Sequence, residues 1–164
     1  MSSRVYIGLG SNVERENNIL LAIREMRKVF GELELSPVYE SAAVGFDGSD
    51  FLNLVAGFDT DNDVDEVVKA LRAIEDNLGR DRSLPRFSPR PIDLDILTYD
   101  ELELDVPGIQ IPRHEILQNS FVLKPLQDVA PDALHPVKGK TYRQLWQEME
   151  PNAGRIEVYA LNLD

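Results

Sequence analysis

The chain predicts an α+β fold, an antiparallel sheet carrying helices, and three observations lead there. Short apolar segments with a side-chain period of two are interspersed with two long apolar stripes of helical period. The segments run strand, helix, strand, strand, helix, strand, and smaller elements follow. No repeat, low-complexity tract or long linker divides them, so the 164 residues read as one domain, 1–164, with a sizeable core. This order matches the ferredoxin-like β-α-β-β-α-β arrangement, with helices on one face and extra elements at the C-terminus. The opposite face of the sheet would then be free to carry a site.

Each element has its own signal. Val5, Ile7 and Leu9 alternate with Arg4, Tyr6 and Gly8 as a first strand. Gly8-Leu9-Gly10-Ser11-Asn12 turns the chain but lacks the third glycine of a dinucleotide fingerprint. Ser11 and Glu14 have capping-box spacing for a helix with its stripe at Ile19, Ala22, Ile23, Met26 and Phe30, ending at Gly31. Residues 33–39 predict one strand, and 51–59 another with Leu52, Leu54, Ala56 and Phe58 on one face and Phe51 and Asn53 on the other. Asp63 with Glu66 caps a second helix striped by Val64, Val67, Val68, Leu71, Ile74 and Leu78, stopped by Gly79. Residues 80–92 hold three prolines and no periodicity, a long connection of the kind that serves as a lid. The Asp93 strand follows, then a short edge strand at 102–106, a loop over 107–120 with room for a helical turn, a helix over 121–129, a helix over 141–149 with Leu145 and Trp146 inward, and a last strand over 155–161. His135, beside Pro136 in a polar stretch, reads as a surface residue.

Composition narrows the function classes. No apolar run approaches the roughly 18 residues of a membrane span, and the N-terminus lacks the layout of a signal peptide. The absence of cysteine removes disulfides and thiolate metal sites, and a cytoplasmic location is the expectation. A net charge of −12 disfavours nucleic acid and anionic membranes as partners. Against that background Arg80, Arg82, Arg86 and Arg90 cluster with Asp81 as the one acid among them, which suggests a small anionic ligand.

The most informative stretch is Arg86 to Leu97, R-F-S-P-R-P-I-D-L-D-I-L. On a strand Asp93 and Asp95 emerge on one face while Leu94 and Ile96 turn to the other. Aspartate is a poor strand former, and like charges on adjacent same-face positions repel. Such a pair persists when a cation sits between the carboxylates, and Mg²⁺, held by one or two carboxylates plus substrate phosphates, is the candidate. The upstream arginines suit the same phosphates. A solvated edge strand is the plainer alternative for an isolated D-x-D; the flanking arginines argue against it.

These residues resemble the 6-hydroxymethyl-7,8-dihydropterin pyrophosphokinase family. The signature above carries the resemblance. It is supported by Y-I-G-L-G-S-N at Tyr6 to Asn12, F-L-N-L-V at Phe51 to Val55, I-E-D-N-L-G-R at Ile74 to Arg80 and F-V-L-K-P-L-Q-D-V-A-P at Phe121 to Pro131. The resemblance implies ATP-dependent transfer of pyrophosphate to the hydroxymethyl oxygen of the reduced pterin, with AMP released, in folate biosynthesis. It implies Asp93 and Asp95 as ligands of two Mg²⁺ ions, with Arg80, Arg82 and Arg90 acting on the phosphates, the first two from a lid. On the nucleotide side it implies Glu75, Arg82, Phe87, Arg90, Ile96, Arg113 and His114, Phe87 standing where many members have tryptophan. On the pterin side it implies Phe51 and Phe121 as stacking rings, Asn53 reading the ring edge, and Ser41, Ala42 and Val44 lining the pocket. From the residues alone, Phe51 and Phe121 also suit ordinary core positions and Asn53 a strand-edge hydrogen bond.

Two positions depart from the family pattern. Arg113 replaces a histidine after Pro112, and Asn119 replaces an arginine seven residues after that proline. Arg113 can serve as the phosphate contact in the histidine's place; Arg86 and Lys124 are the cations available to cover for Asn119. These departures motivate an alternative, a diverged pterin- or nucleotide-binding paralogue without turnover or with altered specificity. An RNA-binding module on the same topology would need exposed aromatics on a basic sheet, which the acidic balance opposes.

Overall fold

The computed structural model describes residues 2–41, 50–79, 91–154 and 156–163. Strand β1 (Ser3–Ser11) leads into helix α1 (Arg15–Phe30), then β2 (Glu34–Leu35), β3 (Val38–Ser41), β4 (Phe51–Thr60) and helix α2 (Val64–Asn77). After them come β5 (Asp93–Tyr99), β6 (Leu104–Val106), β7 (Ile109–Ile111), a 3-10 turn (His114–Leu117), α3 (Ser120–Val129), α4 (Tyr142–Met149) and β8 (Glu157–Tyr159). The main sheet has the order β5-β1-β4-β3-β8, with β2 also on β4, and every pairing is antiparallel. β6 and β7 form a separate hairpin.

The period-two alternation sorts the strands onto two cores. Val5, Ile7, Leu9, Leu52, Leu54, Phe58, Leu94 and Ile96 meet the stripes of α1 and α2 on one face. The Asp63–Glu66 capping box opens α2 as expected, Glu66 N–H donating to Asp63 Oδ1 at 2.9 Å and Asp63 N–H to Glu66 Oε1 at 3.1 Å. The other face is not free, which corrects the sequence reading. Val55 and Leu97 project there, and α3 and α4 cover them with Leu123, Leu126, Leu145 and Trp146. The reason lies in the alternate residues of β4 and β5, which are apolar at 55 and 97 but polar at 53, 93 and 95. The second helix layer covers the apolar part and leaves the polar end.

Other expectations change locally. The strand expected over 33–39 is split because Pro37 has no N–H to give the ladder. Ser36 bridges the break, its N–H donating to Val55 O and its hydroxyl accepting from Val55 N–H, both at 2.9 Å. The Ser11–Glu14 capping box does not form. Ser11 stays in the ladder opposite Leu52, and Asn18 Nδ2 closes the turn on Val13 O at 2.6 Å. The loop expected before residue 120 contains β7. Pro107 and Gly108 (φ 85°) supply its two-residue turn, glycine taking the positive φ that other residues avoid. His135 is buried at 2 % exposure, correcting its surface assignment. Its Nδ1 accepts from the N–H groups of Val137 and Lys138 at 3.1 Å, and its ring meets Tyr142 edge-on.

Candidate active site

Sheet register lines up the polar end of the second face. Gly10 of β1 is opposite Asp93 of β5 on one side and Asn53 of β4 on the other, and Asn53 is opposite Tyr39 of β3. Directly paired residues project to the same face, so Asp93, Asn53 and Tyr39 form one row across the sheet. Asp93 and Asn53 lie two strand spacings apart, roughly 10 Å. Gly10 between them is required. A Cβ there would come within 2.8 Å of Asn53 Oδ1, so the glycine clears the floor between carboxylate and amide. In the next row Gly8 separates Asp95 from Val55.

The carboxylates occupy the start of an edge strand that two buried groups hold in place. Ser11 Oγ donates to Pro91 O at 2.5 Å and fixes the chain just before β5. On the outer edge Leu94 N–H donates to Glu75 Oε2 at 2.8 Å, while Glu75 Oε1 pairs with Arg72 at 3.0 Å. Glu75, expected on the nucleotide side, is wholly buried; its Oε2 fastens α2 to β5, and its Oε1 is held by Arg72 within α2. Ile96 is likewise in the core beneath, its side chain opposite in direction to Asp95.

Asp95 is electrostatically loaded. Burial, then the neighbouring Asp93 charge, raises its carboxyl well above the usual carboxylate range, to about 7; Glu115 and Glu75 add to this and Arg113 opposes it. Arg113 Nη2 is 3.8 Å from Asp95 Oδ1 and 2.8 Å from Glu115 Oε1. Arg113 N–H donates to Leu97 O at 2.9 Å, anchoring the end of the β6–β7 hairpin to β5. His114 is exposed, its N–H held by Gln110 Oε1 at 3.1 Å. Arg113, His114, Gln110, Pro112 and Leu117 line a cleft of about 400 Å³, a volume that suits a small ligand.

Two adjacent hard oxygen donors in a site that already resists their combined charge fit a divalent cation. Among the described residues there is no group of three or more His, Cys, Asp or Glu that could hold a metal ion.

On the other side of Gly10, Asn53 is nearly buried and its Nδ2 donates to Ser41 Oγ at 3.0 Å. Phe51, opposite Ser41, is half-buried on the same face, and Phe121 is half-buried in the first turn of α3. α3 lies on β4 and β3. It is clasped by Asp128, which accepts from the Tyr39 hydroxyl and from Lys124 Nζ at 3.0 Å. At the edge of the sheet Arg15 pairs with Glu40 at 2.7 Å, donates to Asp50 O at 3.0 Å and lies over the Tyr159 ring. The structure therefore gathers Asp93, Asp95, Asn53, Ser41 and Phe51 on one face. Arg80, Arg82, Phe87, Arg90, Ala42 and Val44 lie outside the described residues. Sequence reading missed Gly10, Tyr39, Asp128 and Arg15. Gly10, next to the strand's end and between polar neighbours only after pairing, gave a signal only as part of G-L-G-S-N.

Known proteins resemble the chain in sequence and in fold. Residues 6–131 match the model of the family described as 7,8-dihydro-6-hydroxymethylpterin-pyrophosphokinase (HPPK). A 2-amino-4-hydroxy-6-hydroxymethyldihydropteridine pyrophosphokinase of Pseudomonas aeruginosa is 39 % identical over 140 residues, covering 83 % of this chain and 86 % of its own. One of the same name from Aquifex aeolicus is 33 % identical over 149 residues, 90 % of each chain. Among solved structures, a crystal structure of HPPK-DHPS in complex with substrates superposes with a TM-score of 0.74 at 12 % identity, covering 93 % of this chain; this chain spans 44 % of that one. By its sequence match over residues 6–131 and its relatedness along most of its length, the chain belongs to the 7,8-dihydro-6-hydroxymethylpterin-pyrophosphokinase family.

Proposed function

We propose that the chain transfers a pyrophosphoryl group from ATP to the hydroxymethyl oxygen of 6-hydroxymethyl-7,8-dihydropterin in folate biosynthesis. The observation that carries this reading is the row Asp93–Gly10–Asn53, a cation seat and a ring-edge amide on one floor with a glycine gap between them. The family membership and relatives named pyrophosphokinases supply the reaction class.

In the reaction the substrate hydroxyl attacks the β-phosphorus, passes its proton to solvent water and forms the new P–O bond. The bond from that phosphorus to the α,β-bridging oxygen breaks, and AMP leaves with the oxygen. Asp93 and Asp95 would hold Mg²⁺, two ions with ATP in place, whose charge stabilises the triphosphate as that bond breaks. Asn53, its amide fixed by Ser41, presents Oδ1 toward the gap over Gly10, where it can accept from a ring N–H. Phe51 and Phe121 offer ring faces, and Ala42 and Val44 are assigned to the pterin by the family resemblance alone. Arg113 and His114 serve the nucleotide from the cleft, and Arg80, Arg82, Phe87 and Arg90 are assigned to the phosphates and their cover by the signature alone. The sheet's core is read as ferredoxin-like, supported by the β5-β1-β4-β3 order. Residues 1–164 are taken as one domain because both cores share the same strands. A cytoplasmic setting is inferred from the cysteine-free composition. A paralogue without turnover is not favoured, because both carboxylates and the amide are retained in register.

Incubation with ATP, Mg²⁺ and the hydroxymethyl dihydropterin tests the reading. AMP and the pterin diphosphate should form in equal amounts, and omission of Mg²⁺ should stop both. AMP release no greater than in a protein-free control would overturn it.

A further inference from the structure

Arg113 is poorly satisfied where it stands. Its guanidinium has five N–H donors, yet its shortest ion pair is the single 2.8 Å contact to Glu115. Its Nη2 faces Asp95 at 3.8 Å, too far for a hydrogen bond, and its Nε is buried with no hydrogen-bond partner. The side chains of Arg113 and Asp95 are 27 % and 21 % exposed, so water screens their attraction only in part. Among the described residues Arg113 is the cation set against Asp95, while Asp93, Glu115 and Glu75 supply negative charge. Arg113 also lines the cleft it shares with Gln110, His114 and Leu117, within reach of a ligand entering there.

We infer that Arg113 is an internal counter-ion. In the nucleotide-free protein it offsets the Asp93–Asp95 pair and weakens divalent-cation binding there, and it turns its donors to the nucleotide's phosphates when these arrive. A phosphate oxygen is a better acceptor for a guanidinium than a carboxylate at 3.8 Å. Cation binding is thereby tied to nucleotide binding, and the free protein does not fill its site with adventitious metal. The inference rests on the pyrophosphokinase reading and adds a role to a residue of this chain.

Mn²⁺ titration followed by electron paramagnetic resonance tests it without turnover, using the full chain with and without α,β-methylene-ATP. Without nucleotide, Arg113→Met should bind Mn²⁺ about tenfold more tightly than the native chain, since a positive charge next to the seat is gone. Arg113→Lys should restore the weak binding. With α,β-methylene-ATP the order should reverse, the Met variant holding the Mn²⁺–nucleotide complex more weakly than the native chain. Arg113→His at pH 8, where the ring is neutral, repeats the Met experiment should that variant fold poorly. Equal Mn²⁺ affinity in the native, Met and His proteins without nucleotide overturns the counter-ion role. The pyrophosphokinase reading survives that result if Asp95→Asn still abolishes Mn²⁺ binding in the nucleotide complex. If Asp95→Asn leaves that binding unchanged, the carboxylate seat itself is wrong and both ideas fall.

Discussion

Asp95 shows at the scale of one residue how a site costs stability. Its carboxyl is raised from the usual value near 3.8 to about 7, by burial first and by Asp93 second, with Arg113 opposing. The folded chain therefore binds this proton more tightly than the unfolded chain does. Stability then falls as pH rises through the window from about 4 to 7 and stays reduced above it. Asp95→Asn keeps the shape and removes the charge. It should abolish turnover yet raise the melting temperature at pH 7.5 by on the order of a few degrees, and the gain should vanish near pH 4. Scanning calorimetry at the two pH values checks this; a variant that melts lower at pH 7.5 would mean that the carboxylate is a structural group. The same position shows what sequence makes legible. Two aspartates on one strand face, after a run of arginines, are a local pattern and needed no tertiary information. Glu75 and Gly10 acquire their meaning only from pairing. Nothing in the helical stripe around Glu75 says that an edge-strand N–H will meet its carboxylate, and nothing around Gly10 says that an amide will lie over it.

Elements impose the second level of geometry, and here the pterin side depends on a clasp. Tyr39 of β3 donates to Asp128 of α3, and Asp128 is held also by Lys124 and Gln127. α3 carries Phe121 in its first turn, while β3 carries Ser41, the partner of Asn53. Tyr39→Phe leaves the packing and removes one buried donor. The expected cost is about 1–3 kcal/mol in urea unfolding, with the KM for the pterin rising more than the KM for ATP. Equal rises in the two constants would show that the clasp serves only overall stability. The turn after α3 adds a pH effect of opposite sign to that of Asp95. His135 is buried, and burial lowers its pKa below the ordinary 6.5. Its neutral Nδ1 accepts two backbone N–H groups. Its contribution is complete above about pH 6.5 and is lost as pH falls below that value. His135→Leu should therefore lower the melting temperature at pH 7.5, and its gap to the native chain should narrow by pH 5.5. A gap of constant size would sink the assignment. The helical stripes and the Asp63–Glu66 cap of α2 are legible because periodicity and capping are local, whereas the Ser11–Glu14 box is lost to the ladder that holds Ser11. The broken strand at Pro37 was legible in principle, since proline cannot complete a ladder. His135 was not, because its burial comes from Tyr142 and from a turn that closes on it.

For the whole molecule the decisive fact is that one sheet serves two cores. The residues that resemble the family, and those that match its model, end at 131, yet the second face is completed beyond that point. Tyr142, Leu145 and Trp146 of α4 pack with Val55, Leu97 and Leu126, and Tyr142 N–H and Arg143 N–H donate to Ala133 O and Pro131 O. The stripe at Leu145 and Trp146 marks a helix that packs inward, but the surface it covers depends on the strand order, and the sequence reading left that face free. A chain cut after Pro131 would keep α3 over β4 but strip Tyr142, Leu145 and Trp146 from the core they share with Val55, Leu97 and Leu126, opening part of that apolar surface to water. Trp146→Ala in the intact chain removes one large side chain from that layer and should cost about 3–5 kcal/mol, a large part of the roughly 5–15 kcal/mol available to a domain. The cut chain keeps α3 but loses all of α4 and β8. It should show no cooperative urea transition and should associate on size-exclusion chromatography, because the apolar patch it exposes sits beside an edge left open by the missing β8. If the cut chain instead elutes as a monomer with an unchanged urea midpoint, then α4 and β8 only decorate the sheet. Asp93, Gly10 and Asn53 would in that case be held in register by the first core alone.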